Sequence, residues 1–248
     1  HMTDRPTVVK DSVLDALSEL STATACWTLY GMGIRNTYMK GLKPIAPLGL
    51  GKRVVGRAFT MRWIPYREDL ESDGVAVVRG EGAFRRAIEK LSRRDIFVLD
   101  ALGDLDSGTL GDILSARVKY RGASAAVVDG AVRDAPYIQE VGLPVFVKGV
   151  HPSAGVRTLW PVDFNVPIQC GGVAVIPDDV ILADDEGVVV IPAQYAERLS
   201  IIGSETEERE LFIRQKVEAG YSVFDAYPPT GALIHEFDEW KKSRSDQS

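Results

Sequence analysis

The chain has 248 residues, 45% of them hydrophobic, and sets 29 Lys and Arg against 35 Asp and Glu for a net charge of −6. Length and apolar content suit one large domain with a real core, with or without appendages. The acidic balance argues against non-specific nucleic-acid binding, and no apolar run reaches membrane-spanning length, so neither nucleic acid nor membrane is an expected partner and a cytoplasmic protein is expected. No signal peptide is visible, and His1-Met2 reads as a remnant left by cloning, so His1 stays outside any site argument. Cys26 and Cys170 lie far apart and make no metal-spacing pattern; each reads as a structural thiol rather than half of a disulfide.

In chain order, residues 1–10 are a remnant and a polar lead-in. Asp11 to Leu20 reads as an amphipathic helix with Val13, Leu14, Leu17 and Leu20 on one stripe. Ser21 to Ala25 is a hydroxyl-rich break that opens a second helix through Leu29, ended by Gly31-Met32-Gly33. Lys43 to Leu50 is connecting chain, and Arg53 to Trp63 alternates as a strand. The charged stretch Tyr66 to Gly74 reads as a solvated loop, with a lid as the weaker alternative. Ala83 to Leu91 is a basic amphipathic helix, and Asp95 to Leu99 a buried strand that delivers Asp100 and a loop from Gly103 to Gly111.

Past the central stretch, Ala135 to Val141 reads as a short helix and Pro144 to Lys148 as a strand. His151 to Arg157 is a loop; His151 is either a general acid or base or a surface residue. Asp163 to Gln169 and Gly171 to Ile176 pattern as strands, and Val180 to Ala183 with Gly187 to Ile191 as a hairpin. Gln194 to Val217 reads as a long helix with a heavily charged face. Residues 221–248 form an extension with Phe237 and Trp240, suited to packing on a partner, and a polar tail.

The chemistry concentrates between Gly108 and Asp134. Gly108-Thr109-Leu110-Gly111-Asp112 leads into a helix that stops at Gly122; Ser124 to Val128 is a buried strand, and Asp129-Gly130-Ala131-Val132-Arg133-Asp134 follows. A helix that returns the chain to a strand brings both flanking loops to one end of the unit. The helix start at Gly111-Asp112 offers unpaired N–H groups and a partial positive charge, which is an anion site. Arg133 can clamp a carboxylate with two hydrogen bonds, and Asp134 can hold a hard divalent cation. The same residues also read as a turn dipeptide, a first-turn acid and a surface ion pair. On the residues alone both readings stand.

Asp112, twenty intervening residues, then Arg133-Asp134 resembles the Asp-x20-Arg-Asp signature of the class II pyruvate aldolases in the HMG/CHA aldolase and RraA-like superfamily. The stretch Gly142 to Gly149 resembles the strand that follows the signature, and Gly172 to Asp179 with Ala183 to Pro192 resembles the family's late hairpin. The resemblance covers roughly residues 11–220 and implies a single α/β domain of the swivelling β/β/α type, with layered sheets and flanking helices. It also implies a divalent-metal-dependent lyase that cleaves a C–C bond of a 2-oxo acid, of the 4-hydroxy-4-methyl-2-oxoglutarate or 4-carboxy-4-hydroxy-2-oxoadipate type. Oxaloacetate decarboxylation would follow, since loss of CO₂ leaves the same enolate.

On that reading Asp134 holds Mg²⁺ or Mn²⁺, and Arg133 stabilises the enolate of pyruvate. Gly111, Ile113 and Leu114 bind the carboxylate through their backbone, and Asp112 orients a water held by the ion. The resemblance places the site between subunits of a homotrimer or homohexamer. Glu210, in the Arg-Glu-x-x-x-Arg run at 209–214, is then the match for an acid supplied by a neighbouring subunit. A Schiff base on Lys148 is the alternative chemistry that the Arg133-Asp134 loop disfavours. Rival readings on the same scaffold are a dehydratase of 2-keto-3-deoxy sugar acids and a non-catalytic regulator that binds a ribonuclease.

Overall fold

The computed structural model describes residues 8–68 and 82–245. Of the charged loop expected over Tyr66 to Gly74, only 66–68 fall within them. The fold is a mixed α/β sheet, nearly closed on itself, with helices on its outside. Its strands are β1 (Lys43–Pro44), β2 (Val54–Pro65), β3 (Asp95–Gly108), β4 (Ala125–Val132), β5 (Val145–Val150), β6 (Leu159–Phe164), β9 (Val180–Asp184) and β10 (Gly187–Ile191). A separate two-stranded sheet joins β7 (Ile168–Cys170) to β8 (Val173–Val175).

The order across the large sheet is β1-β5-β4-β3-β2-β9-β10, with β6 also pairing β2. The pairs β2/β3, β3/β4 and β4/β5 are parallel, and the rest are antiparallel. Residues 37–44 close the sheet: Met39 N–H and Thr37 C=O bond to β10, and Lys43–Pro44 then pairs with β5. Closure removes two sheet edges and encloses an inner core.

Period-two alternation assigns each strand residue to a face. On β3 and β4, Ile96, Val98, Ala125 and Val127 point into the inner core, with Phe146, Ile181, Val188 and the β7–β8 hairpin. Phe97, Leu99, Ala126 and Val128 point outward, against α3 (Ala83–Lys90), α4 (Asp112–Tyr120) and α5 (Ala135–Val141). The opposite outer face, Val180, Leu182, Val189 and Ile191, is covered by α1 (Asp11–Leu17), α2 (Thr22–Gly31) and α6 (Ala196–Glu218). Gly203 lets α6 close on α1–α2, since a Cβ there would sit 2.4 Å from Leu20.

Several expected boundaries move, each for a local reason. The 103–111 loop is mostly strand, because β3 continues to Gly108 through two register breaks and re-pairs at Asp104↔Gly130 and Gly108↔Ala131. Leu102 and Gly103, both at positive φ, make the first break. Asp129-Gly130 is not a turn but the middle of β4; Gly130 is required there because Asp104 O would lie 2.8 Å from a Cβ. The strand expected over 163–169 is two strands, β6 and β7, parted by Asn165 at φ 55. The first helix ends at Leu17, and a 3₁₀ turn at Ala193–Tyr195 precedes α6.

The C-terminal extension is helical. α7 (Val223–Ala226) and α8 (Ala232–Ser245) pack on the far half of α6 around Phe212, Ile213, Ala226 and Leu233, with Phe237 and Trp240 against them. The aromatics expected to meet a partner therefore meet this chain's own helix first.

Candidate functional site at the ends of the parallel strands

Because β2, β3, β4 and β5 run parallel, their C-terminal ends lie together, and the connections leaving them converge. A cavity of about 290 Å³ opens there. Gly108, Thr109 and the first turn of α4 form one side; Arg133 and Asp134, leaving β4, form the next. The turn at Ala154–Val156 and the strand residues Trp63 and Pro161 close it, with Phe84 and Arg85 of α3 at the rim.

Backbone hydrogen bonds lock these segments. Arg133 N–H donates to Leu110 O (3.0 Å), Gly108 N–H to Ser153 O (2.8 Å), and His151 N–H to Val132 O (2.9 Å). Glycines make the approach: a Cβ at Gly108 would lie 2.6 Å from Arg133 N, and one at Gly155 2.8 Å from Thr109 Cα. A Cβ at Gly111 would lie 3.0 Å from Asp134 Oδ2.

Asp134 sits at φ 57, ψ 33, the left-handed region that Asp tolerates better than most residues. It precedes α5 without capping it, so its carboxylate is not spent on that helix. Instead Arg133 Nε donates to Asp134 Oδ2 at 2.9 Å, and the two side chains stay 41% and 31% exposed. The pair is therefore neither turned from the cavity nor sealed inside. Exposed pairs contribute little to stability, so this geometry is free to serve a ligand. Arg133 keeps its terminal nitrogens, and Asp134 keeps Oδ1, beyond that one bond.

The α4 N-terminus faces the pair. Gly111 is its N-cap and no side chain caps it; Ser115 Oγ and N–H both donate to Gly111 O instead. The first-turn N–H groups at Asp112, Ile113 and Leu114 thus remain for an anion at the cavity. Gly111, Asp112, Ile113, Leu114, Arg133 and Asp134 all line one cavity, so six of the residues singled out in the sequence are brought together. Glu210 is not among its lining residues; it stands exposed on α6 of the same chain.

His151 does not line the cavity either. Its Nδ1 accepts the Ser153 N–H at 3.1 Å, which shapes the 151–154 turn. Lys148 points to the inner face, where its Nζ lies 2.5 Å from Asp129 Oδ1, a contact that is ionic rather than a directed hydrogen bond. A lysine in that pairing is no amine nucleophile for the cavity. Sequence reasoning missed the apolar wall, Trp63, Phe84, Val156 and Pro161. Trp63 is legible in the chain only as an inward strand residue, and its pairing with Pro161 is set by the register of β2 against β6.

Burial and hydrogen bonding shift carboxylates near these strand ends. Burial pushes Asp100 up, against hydrogen bonds from Gln169 and the Leu102 N–H. Burial also works on Asp104, but bonds from Thr158 and Ser107 outweigh it and hold that carboxyl low. Among the described residues no group of three or more His, Cys, Asp or Glu is placed to cage a metal ion. A hard ion held by a single carboxylate, with waters and substrate oxygens completing its shell, is compatible with Asp134, whose Oδ1 takes no bond from Arg133.

Residues 11–190 match the family described as RraA-like, Aldolase/RraA, and the chain belongs to that family. A protein of Halalkalibacterium halodurans named "Putative 4-hydroxy-4-methyl-2-oxoglutarate aldolase" is 35% identical over 148 residues, 60% of this chain and 64% of that protein. Protein DlpA of Legionella pneumophila is 32% identical over 152 residues, 61% of this chain but 23% of its own length. These matches thus span less than two thirds of either relative. The crystal structure of Streptomyces coelicolor RraAS2, titled an unusual member of the RNase ES inhibitor RraA protein family, superposes with a TM-score of 0.74 at 34% identity, over 85% of this chain and 98% of that one. An uncharacterized Pseudomonas syringae protein shares the fold, with a TM-score of 0.76 at 24% identity, over 89% and 99% of the two chains. Among the described residues no helix is long and apolar enough to cross a membrane.

Proposed function

We propose that this member of the RraA-like family is a carbon–carbon lyase that releases pyruvate from a 4-hydroxy-2-oxo acid and also decarboxylates oxaloacetate. One observation carries the reading: an arginine–aspartate pair left open in a cavity, opposite an uncapped helix N-terminus. Two of these parts, the helix N–H groups and the arginine, offer donors to the three oxygens of a 2-oxo acid. The first-turn N–H groups of α4 hold the carboxylate. The Arg133 fork spans the carboxylate and the 2-oxo oxygen, and stabilises the charge that grows on that oxygen as the C3–C4 bond breaks.

In the step itself the C3–C4 electron pair passes to C3, giving pyruvate enolate, while C4–OH becomes C=O. Asp112 takes the hydroxyl proton through a water and returns one to C3. Asp134 would hold Mg²⁺ or Mn²⁺, and Asp112, in the same cavity lining, would orient a water; when bound, such an ion would polarise the 2-oxo group. On this reading the protein is a homotrimer or homohexamer in which Glu210 reaches a neighbouring copy's cavity. Light scattering of the purified protein tests the assembly.

The second reading is a regulator that binds a ribonuclease, favoured by the likeness to RraAS2. Pyruvate release from oxaloacetate, with and without EDTA, separates the two. Turnover abolished by EDTA and by Asp134→Ala supports the lyase. No turnover on any 2-oxo acid, together with tight binding to a ribonuclease, supports the regulator.

A further inference from the structure

Behind the cavity, three side chains tie two of its walls together, and none of them lines it. Asp104 and Ser107 lie on the last part of β3, and Thr158 follows the turn at Ala154–Val156. Thr158 Oγ1 donates to Asp104 Oδ2 at 2.5 Å, and Ser107 Oγ reaches the same oxygen at 2.8 Å. The two hydroxyls lie 2.5 Å apart. The Asp106 N–H donates to Asp104 Oδ1 at 3.1 Å. Ser107 is fully buried, and its Oγ is also 3.3 Å from Gly155 O, in the cavity turn itself.

The place of this cluster in the sheet gives it a task. β3 loses register with β4 on both sides of Asp104, and beyond the first break it re-pairs at Asp104↔Gly130 and Gly108↔Ala131. A strand so broken depends on other bonds for its position. It runs straight into Gly108, Thr109 and the start of α4, which form one side of the cavity. The turn meets it at two points: Gly108 N–H donates to Ser153 O, and Thr158 N–H donates to Gly155 O (3.2 Å) beside the cluster. If this end of β3 slid against the turn, the α4 N-terminus would move relative to Arg133, since the two meet at the bond from Arg133 N–H to Leu110 O. Apolar side chains could fill the same space without placing an acid there. What the carboxylate adds is direction, through short charge-assisted bonds from both hydroxyls.

We propose that Asp104, acting through Ser107 and Thr158, is a positioning residue for the reaction. It holds the end of β3 against the 154–156 turn, so that the α4 N-terminus and Arg133 present their donors to one substrate molecule together. It touches no reacting atom. The inference rests on the pyruvate-releasing reading of the cavity. Arg133 stabilises charge that grows as the C–C bond breaks, so misplacing it costs more in the transition state than in the ground state. Loss of the network therefore lowers kcat and leaves KM little changed.

The test follows pyruvate release from oxaloacetate, with Mg²⁺, by the full chain and two variants, at a temperature where all are folded. Thr158→Val keeps the shape and loses the hydroxyl; Thr158→Ser keeps the hydroxyl. The expected result in Thr158→Val is a kcat about tenfold lower, the scale of one lost bond to a charged group. KM should stay within about threefold of wild type, and Thr158→Ser should restore kcat to within about threefold. A kcat within about twofold of wild type in Thr158→Val overturns the inference, as does an equal loss in Thr158→Ser. Either leaves the pyruvate-releasing reading standing if the wild-type protein turns over oxaloacetate. No turnover by the wild-type protein removes both. Should Thr158→Val not fold, Ser107→Ala takes its place as the smaller change: kcat should again fall with KM held, and wild-type kinetics overturn the inference.

Discussion

Strand β4 and the turn that leaves it each contribute an aspartate to an acid–cation pair, and the two pairs have opposite characters. On the inner face Asp129 is 2% exposed, with Lys148 Nζ 2.5 Å from one oxygen. Gln169 Nε2 (3.0 Å) and the Gly171 N–H (2.8 Å) donate to its other oxygen. At the strand's end Arg133 and Asp134 share one hydrogen bond and are otherwise uncommitted. The inner pair has its carboxylate buried, and that carboxylate ties the β7–β8 hairpin to the sheet through Gln169 and Gly171. The outer pair retains donors, an acceptor and access. Residue type does not distinguish the two pairs; burial of the carboxylate and the bonds it already accepts do.

The largest effect that would sharpen this contrast is at the open pair. Arg133→Lys keeps the charge and loses the planar fork, so kcat/KM on oxaloacetate should fall roughly 10²–10³-fold with the melting temperature unchanged. Near-normal turnover would take Arg133 out of the mechanism. The closed pair should respond in the opposite way. Asp129→Ala leaves Lys148 and the Gly171 N–H without their acceptor and Gln169 with only Asp100, and should cost about 3 kcal/mol in chemical denaturation. Full stability in that variant would erase the distinction between the pairs.

A smaller effect is expected at Gly111. Its φ of −116° suits alanine, but a Cβ would stand 3.0 Å from Asp134 Oδ2. Gly111→Ala should therefore displace the carboxylate by a few tenths of an ångström and lower kcat/KM about tenfold without unfolding the protein. The smallest effect concerns Asp100, beside the closed pair. Its raised carboxyl favours the protonated form in the folded state, so the stability it contributes is present at low pH and lost as pH rises through its folded-state value. Asp100→Asn can still accept from Gln169 and Leu102, and should flatten that loss; urea midpoints followed from about pH 4, near the unfolded value, to about pH 7 would vary less than in the wild type. A gap between variant and wild type that does not change with pH would refute the assignment.

Much of the outer layer was legible from the chain. The hairpin β9–β10, the helix Ala135–Val141 and the stop at Gly122 all follow local rules of periodicity and turn chemistry. The departures share one cause. Asp129-Gly130 carries a turn signal, and residues 103–108 carry a loop signal, yet both are strand because β3 and β4 re-pair across register breaks. Tertiary pairing overrides local preference where a neighbouring strand offers hydrogen bonds.

The candidate site divides along the same line. Its polar half comes from one short segment, 108–134, whose helix and strand must bring Asp112 and Arg133-Asp134 to the same end. Sequence by itself determined that half, because a βαβ path constrains where its loops go. The apolar half joins residues 63, 84, 156 and 161, and no spacing rule relates them. Only the closed sheet decided that Trp63 faces Pro161, that Phe84 packs on the indole, and that Lys148 turns inward to Asp129. Those contacts depend on strand register and burial, which follow from packing the whole chain and not from any local stretch of it.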